Sequence, residues 1–161
     1  MTLRIAVLTV SDRSSRGERE DISGPKLGEL VLNKGWQLVK QHIVSDDRTA
    51  IREILISWAE SKQVDIILVT GGTGFAPRDI TPEATRDVVE RFTPGLDEAM
   101  RAASLQVTPH AMLSRGVSGI RKKTLIINLP GSPKGAVENF QVVLPALEHG
   151  IKLIQDKKTE H

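Results

Sequence analysis

The chain has 161 residues and a mass of 17.7 kDa, enough for one ordinary domain that buries most of its unfolded surface without staples. Hydrophobic residues make up 39% and charged residues 26%, and 22 basic against 20 acidic side chains leave a net charge of only +2. There is no cysteine or tyrosine. Disulfides, zinc–thiolate sites and cysteine nucleophiles are therefore excluded, and neither a polyanion field nor a base-stacking nucleic-acid platform is indicated. No targeting segment or membrane-length apolar run is visible, so the expectation is a cytoplasmic protein with no nucleic-acid or membrane partner.

Leu3–Val10 is rich in β-branched residues and reads as a buried first strand, followed by a polar, arginine-rich stretch, Ser11–Asp21. A helix follows, with Ser23 as its cap, Pro25 in the first turn and Gly35 beyond its end; Leu27, Leu30 and Val31 form its apolar stripe. Trp36–Val44 reads as a second strand. Asp46 and Asp47 precede a second helix, Arg48–Lys62, whose Ile51, Ile54, Leu55 and Trp58 recur at helical spacing. Asp65–Thr70 is apolar on both faces, as a central parallel strand should be. The loop Gly71–Thr81 leads to a helix from Pro82. Phe92–Gly95 interrupts the pattern, Leu96–Leu105 resumes it, and Met112–Ile120 is irregular or edge-like. Thr124–Leu129 is a fourth strand. A Pro130-Gly131-Ser132-Pro133 turn opens a C-terminal helical stretch that Pro145 is expected to split, and Lys157–His161 to fray from.

Strands and helices thus alternate with short connections over one domain, residues 1–161. This is α/β order, with a parallel sheet and helices on both faces. Ligands in such sheets bind beyond the carboxyl ends of the strands. Those ends are Ser11-Asp12-Arg13, Asp46-Asp47, Gly71–Asp79 and Gly131-Ser132-Pro133, four loops facing one crevice.

The loop Thr70-Gly71-Gly72-Thr73-Gly74 follows a buried strand, and its glycines let backbone N–H groups approach an anion. It is neither a Walker loop nor a G-x-G-x-x-G fingerprint, and a tight structural turn reads as well as a phosphate cradle. Thr81 with Pro82 reads as a helix cap. Asp79 is either a solvated loop carboxylate or, with Asp46 or Asp47 from the neighbouring loop, part of a magnesium site of the kind two carboxylates and substrate phosphates build. Ser132 is a cap or a phosphate ligand at a helix start. His42, His110, His149 and His161 have no metal-ligand spacing, and Gly116-Val117-Ser118-Gly119 misses the serine-nucleophile elbow because Ile120 follows.

Thr9-Val10-Ser11-Asp12, Thr70 to Asp79, Thr81-Pro82-Glu83-Ala84-Thr85, Met112-Leu113-Ser114-Arg115 and Leu129-Pro130-Gly131-Ser132-Pro133 together resemble the molybdopterin adenylyltransferase family, which includes bacterial MogA and MoaB and the gephyrin G domain. The likeness runs from about Leu3 to Ile154. It implies a three-layer αβα sandwich with a mostly parallel central sheet, assembled as a homotrimer. It also implies a reaction in which the terminal phosphate of molybdopterin attacks the α-phosphate of Mg-ATP, giving adenylyl-molybdopterin and pyrophosphate for use by a molybdenum-insertion protein. By this resemblance Asp46 and Asp79 are catalytic and hold Mg²⁺. Gly71, Gly72, Thr73, Gly74, Gly131, Ser132 and Pro133 bind nucleotide. Ser114 and Arg115 belong to the pterin site, and Ser11 and Asp12 to the same crevice. Ser45 replaces a proline common in the family, which leaves the choice between Asp46 and Asp47 open. A non-catalytic pterin carrier on the same fold is the alternative implied.

Overall fold

In a computed structural model the described residues are 1–157; the end of the expected frayed tail, including His161, lies outside them. The order is β1 (Arg4–Val10), α1 (Asp12–Ser15), α2 (Ser23–Asn33), β2 (Gln37–Val44), α3 (Arg48–Glu60), β3 (Ile66–Thr70), α4 (Thr81–Val88), β4 (Arg91–Phe92), α5 (Pro94–Leu105), a 3₁₀ turn (Pro109–Leu113), β5 (Ser118–Arg121), β6 (Thr124–Leu129) and α6 (Pro133–Ile154). The six strands form one sheet in the order β2-β1-β3-β6-β5-β4. β2, β1, β3 and β6 are parallel, while β5 and β4 close one edge antiparallel. All residues of β3 and β6 are buried because both faces of the sheet are covered.

Alternation along the strands builds two cores. Leu3, Ile5, Val7, Leu68 and Ile127 meet Leu27 and Val31 of α2, Met100 of α5 and Phe140 of α6 on one face. Ala6, Leu8, Val69 and Ile126 meet Ile51 and Leu55 of α3 and Ala84 and Val88 of α4 on the other. The three expected layers are present, with β4 as an edge strand the sequence did not suggest.

Three local expectations change. Ser23 does not cap α2: its hydroxyl donates to the Gly131 carbonyl at 2.8 Å, and Asp21 Oδ1 accepts from the Gly24 N–H instead. Thr81 is not a side-chain cap either; its buried hydroxyl donates to the Gly71 carbonyl at 2.8 Å and its N–H to the Gly72 carbonyl, so it ties down the glycine loop. Pro145 does not split α6, which runs through it. Pro145 and Gln141 lie on the exposed face, so the carbonyl that proline leaves without a donor is on the solvent side. Meanwhile Phe140, Val143, Leu147 and Ile151 anchor the inner face on both sides of it.

Candidate functional site

Chain direction across the sheet reverses between β1 and β3, since β2 lies on one side of β1 and β3 on the other. Such a switch point opens a crevice at the carboxyl ends of the strands. Its floor is main chain. Thr70 Oγ1 donates to the Pro130 carbonyl at 2.6 Å and the Gly71 N–H to the Leu129 carbonyl at 3.2 Å, so the loops after β3 and β6 are sewn together. Gly71 has φ +105°, and a Cβ there would collide with the Val10 carbonyl; one on Gly131 would stand 3.2 Å from the Gly71 Cα. Gly71 therefore has to be glycine, and a side chain at Gly131 would crowd it.

Two cavities flank this floor. One, about 360 Å³, lies on the β1 side and is lined by Ser11, Ser14, Asp21, Asp46, Gly71 and Pro133 among others. The other, about 440 Å³, lies under α5 and the 3₁₀ turn, with Thr73, Gly74, Arg101, Ser114, Asn128 and Asn139 in its walls. Gly72, Asp79, Gly131 and Ser132 border both. A larger cavity of about 910 Å³ sits at the opposite end of the strands, around Arg4, Lys62, Asp65 and Thr124, away from the converging loops.

The acidic residues divide by role. Asp47 caps α3, its Oδ2 accepting the Ala50 N–H at 3.1 Å, which leaves Asp46 as the acid in the crevice. Asp46 and Asp12 hold one another: Asp46 Oδ2 accepts the Asp12 N–H at 2.9 Å and Asp12 Oδ1 accepts the Asp46 N–H at 3.0 Å. Arg78 closes this arrangement with two bonds to Asp12, at 2.6 and 2.9 Å, and a third to the Asp46 carbonyl. That guanidinium holds Asp12 below the usual carboxylate range. Burial pushes the Asp46 carboxyl above its usual range, and the negative charges of Asp12 and Asp79 push the same way. Asp79 Oδ2 accepts the Ala76 N–H at 2.9 Å.

Asp46 Oδ1, next to Gly72, and Asp79 Oδ1 have no hydrogen bond among the described residues. Two carboxylates in one cavity, one destabilised by burial and like charge, make a hard-oxygen donor set that suits a divalent cation such as Mg²⁺. No cluster of three or more acidic or histidine ligands occurs among the described residues, so the remaining coordination would fall to water and substrate phosphates.

Ser132 caps α6, accepting the Gly135 N–H at 3.1 Å. Ser114 lines the α5-side cavity; Arg115 lines neither. Its guanidinium is committed to the glycine-loop segment: Nε donates to the Gly74 carbonyl at 2.7 Å, Nη2 to the Asp79 carbonyl at 2.7 Å, and both terminal nitrogens to Glu83. Its N–H donates to the Thr73 carbonyl. Arg115 therefore holds the loop rather than facing a ligand, and its charge holds Glu83 below the usual glutamate range.

Residues the sequence did not single out complete the α5 wall. Asp97 is buried and accepts both the N–H and the hydroxyl of Ser118, at 3.0 and 2.7 Å. Burial pushes its carboxyl up. Arg101 donates to the Ser114 and Gly116 carbonyls. Their partners lie 13 to 21 residues away, so no local motif marks them.

Fold and crevice define the class: a doubly wound α/β domain whose switch-point crevice carries a carboxylate pair over a glycine floor. The chain belongs to the family described as "Probable molybdopterin binding domain", whose model matches residues 6–149. It is 45% identical over 155 residues to a molybdopterin adenylyltransferase of Helicobacter pylori, covering 95% of this chain and 88% of that one. A gephyrin of Dictyostelium discoideum is 45% identical over 163 residues, but the chain spans only 23% of that protein's length. The crystal structure of the molybdopterin biosynthesis enzyme MoaB from Thermus thermophilus superposes with TM-score 0.91 at 46% identity, covering 99% of this chain and all of that one.

Proposed function

We propose that this protein is a molybdopterin adenylyltransferase, one domain over residues 1–161, which acts in molybdenum cofactor biosynthesis. A terminal phosphate oxygen of molybdopterin attacks the α-phosphorus of ATP, the bond to the β-phosphate oxygen breaks, and pyrophosphate leaves. The observation that carries the reading is the pair of cavities meeting at Gly72, Asp79, Gly131 and Ser132. Two phosphorylated substrates seated on either side would bring their phosphates together there.

In this reading the β1-side cavity takes the nucleotide against Gly71–Gly74, Gly131, Ser132 and Pro133, with Ser11 in its wall. The α5-side cavity takes the pterin, with Ser114 in its wall. Asp46 and Asp79 hold Mg²⁺, which when bound neutralises phosphate charge and assists pyrophosphate departure. Asp12 and Arg78 orient Asp46, and Arg115 orients the Asp79 segment. Phosphoryl-type transfer needs positioning and charge neutralisation rather than a protein nucleophile, which agrees with the lack of cysteine. A homotrimer in the cytoplasm that passes its product to a molybdenum-insertion protein completes the proposal. No helix among the described residues is long and apolar enough to cross a membrane.

The test is incubation of pure protein with molybdopterin and Mg-ATP, following adenylylated pterin and pyrophosphate. Equal amounts of both products are expected. Pterin binding without ATP consumption would instead establish a carrier.

A further inference from the structure

Four arginines among the described residues are half-buried: Arg4, Arg101, Arg115 and Arg121. Three have a carboxylate at ion-pair distance, Asp65 at 3.0 Å, Glu83 at 2.9 Å and Glu60 at 2.7 Å respectively. Arg101 has none. Its bonds are to two neutral carbonyls, of Ser114 at 3.4 Å and Gly116 at 3.1 Å, and both come from Nη1. The Nε and Nη2 donors have no partner among the described residues, although the side chain lies in the wall of the α5-side cavity. A partly desolvated cation without a counter-ion is unfavourable unless an anion joins it.

The other charged groups around this cavity do not supply that anion. Asp97, one turn earlier on α5, is turned onto Ser118 with both oxygens and attracts Arg101 only at longer range. Asp79 accepts from its own loop, at Ala76. Glu138 pairs with Lys134 on α6. Arg101 is the one arginine or lysine in the lining, and the carbonyl anchors fix one end of its guanidinium while the other end remains free. A guanidinium held in this way presents a fork suited to phosphate.

We propose that Arg101 is the phosphate receptor of the α5-side cavity: it binds the terminal phosphate of the substrate seated there and thereby selects the phosphorylated form. This rests on the function proposed above, which places molybdopterin in that cavity. Arg101 is then a substrate-binding residue for the attacking phosphate, distinct from the glycine floor and the carboxylate pair.

The experiment compares the parent with Arg101→Gln and Arg101→Lys by titration calorimetry, using molybdopterin and its dephosphorylated form. Arg101→Gln should weaken the phosphorylated pterin about 10- to 100-fold, the loss expected for hydrogen bonds to a charged group. Arg101→Lys should lose less, and the dephosphorylated form should bind all three proteins alike. An unchanged preference for the phosphorylated form in Arg101→Gln overturns the proposal. So do equal losses in the Gln and Lys variants, which would mark Arg101 as a carbonyl anchor only. If the parent binds neither pterin, the proposed function falls, and inorganic phosphate followed by ³¹P line broadening decides on Arg101. Broadening with the parent that disappears in Arg101→Gln supports the receptor, and identical spectra refute it.

Discussion

Replacing Arg115 by methionine keeps the aliphatic stem and removes the guanidinium. Three connections go with it: the 2.7 Å bonds to the Gly74 and Asp79 carbonyls and the paired bonds to Glu83. Arg115 is 32% exposed and Glu83 27%, so each contribution is reduced by solvent. About 1 kcal/mol for each carbonyl bond and about 0.5–1 kcal/mol for the ion pair give roughly 3 kcal/mol. That is a factor on the order of 10² in the balance between the closed and the loosened Gly72–Asp79 segment. Affinity falls in proportion to the fraction of molecules in the competent state. Both cavities border this segment, so ATP and pterin should lose affinity by the same factor, at most about 10²-fold. Glu83→Gln, which leaves the carbonyl bonds in place, should cost only a few-fold. Titration calorimetry of each substrate with the parent and the two variants measures this directly. Selective loss of pterin binding in Arg115→Met, with ATP unaffected, would refute the loop-clamp argument and restore a direct contact.

The Arg115 charge lowers the Glu83 pKa in the folded state, so the pair's stabilisation is complete above about pH 4.5, the ordinary glutamate value, and fades as pH falls through the lowered one. The melting-temperature gap between the parent and Arg115→Met should therefore narrow on acidification below that pH and stay constant from there to neutrality. Asp79→Asn removes a charge without changing size; turnover should drop on the order of 10²-fold while pterin affinity holds within a few-fold, and parent-like turnover would remove Asp79 from catalysis. Asp97→Ala strands the buried N–H and hydroxyl of Ser118, so chemical denaturation should show a loss of about 2–4 kcal/mol; a change under 1 kcal/mol would mean that water replaces the carboxylate.

What was legible in the sequence was whatever short-range pattern controls. The apolar runs at β1, β3 and β6 announce buried parallel strands, and once the order is α/β the crevice follows from where those strands end. The glycine loop and the acids beside it could be placed for the same reason, but the sequence left open which of Asp46 and Asp47 caps the following helix, and the Asp47 bond from the Ala50 N–H decides it. Side-chain partnerships across the fold were not legible. Ser23 and Thr81 both stand where a cap belongs, yet their hydroxyls go to the carbonyls of Gly131 and Gly71, which have no other donor among the described residues. Arg115 meets Glu83 across 32 residues of chain, so a motif could mark its importance but not what it touches. Pro145 misled because local propensity treats every helix interior alike, whereas its position on the solvent face of α6 makes it tolerable.

The crevice floor has a consequence for how such a protein can change. Gly71 and Gly131 meet backbone to backbone, and a methyl group on either would press on its neighbour. Substitution has almost no purchase on a surface without side chains. Its outline, where the two substrates' reactive ends would lie, is closed to gradual remodelling by mutation. The walls are open to it: Ser14, Arg19 and Glu20 around one cavity and Val107, His110 and Leu113 around the other can vary without disturbing the sheet. A lineage built on this scaffold could acquire new bodies for its ligands more readily than a new place of reaction between them.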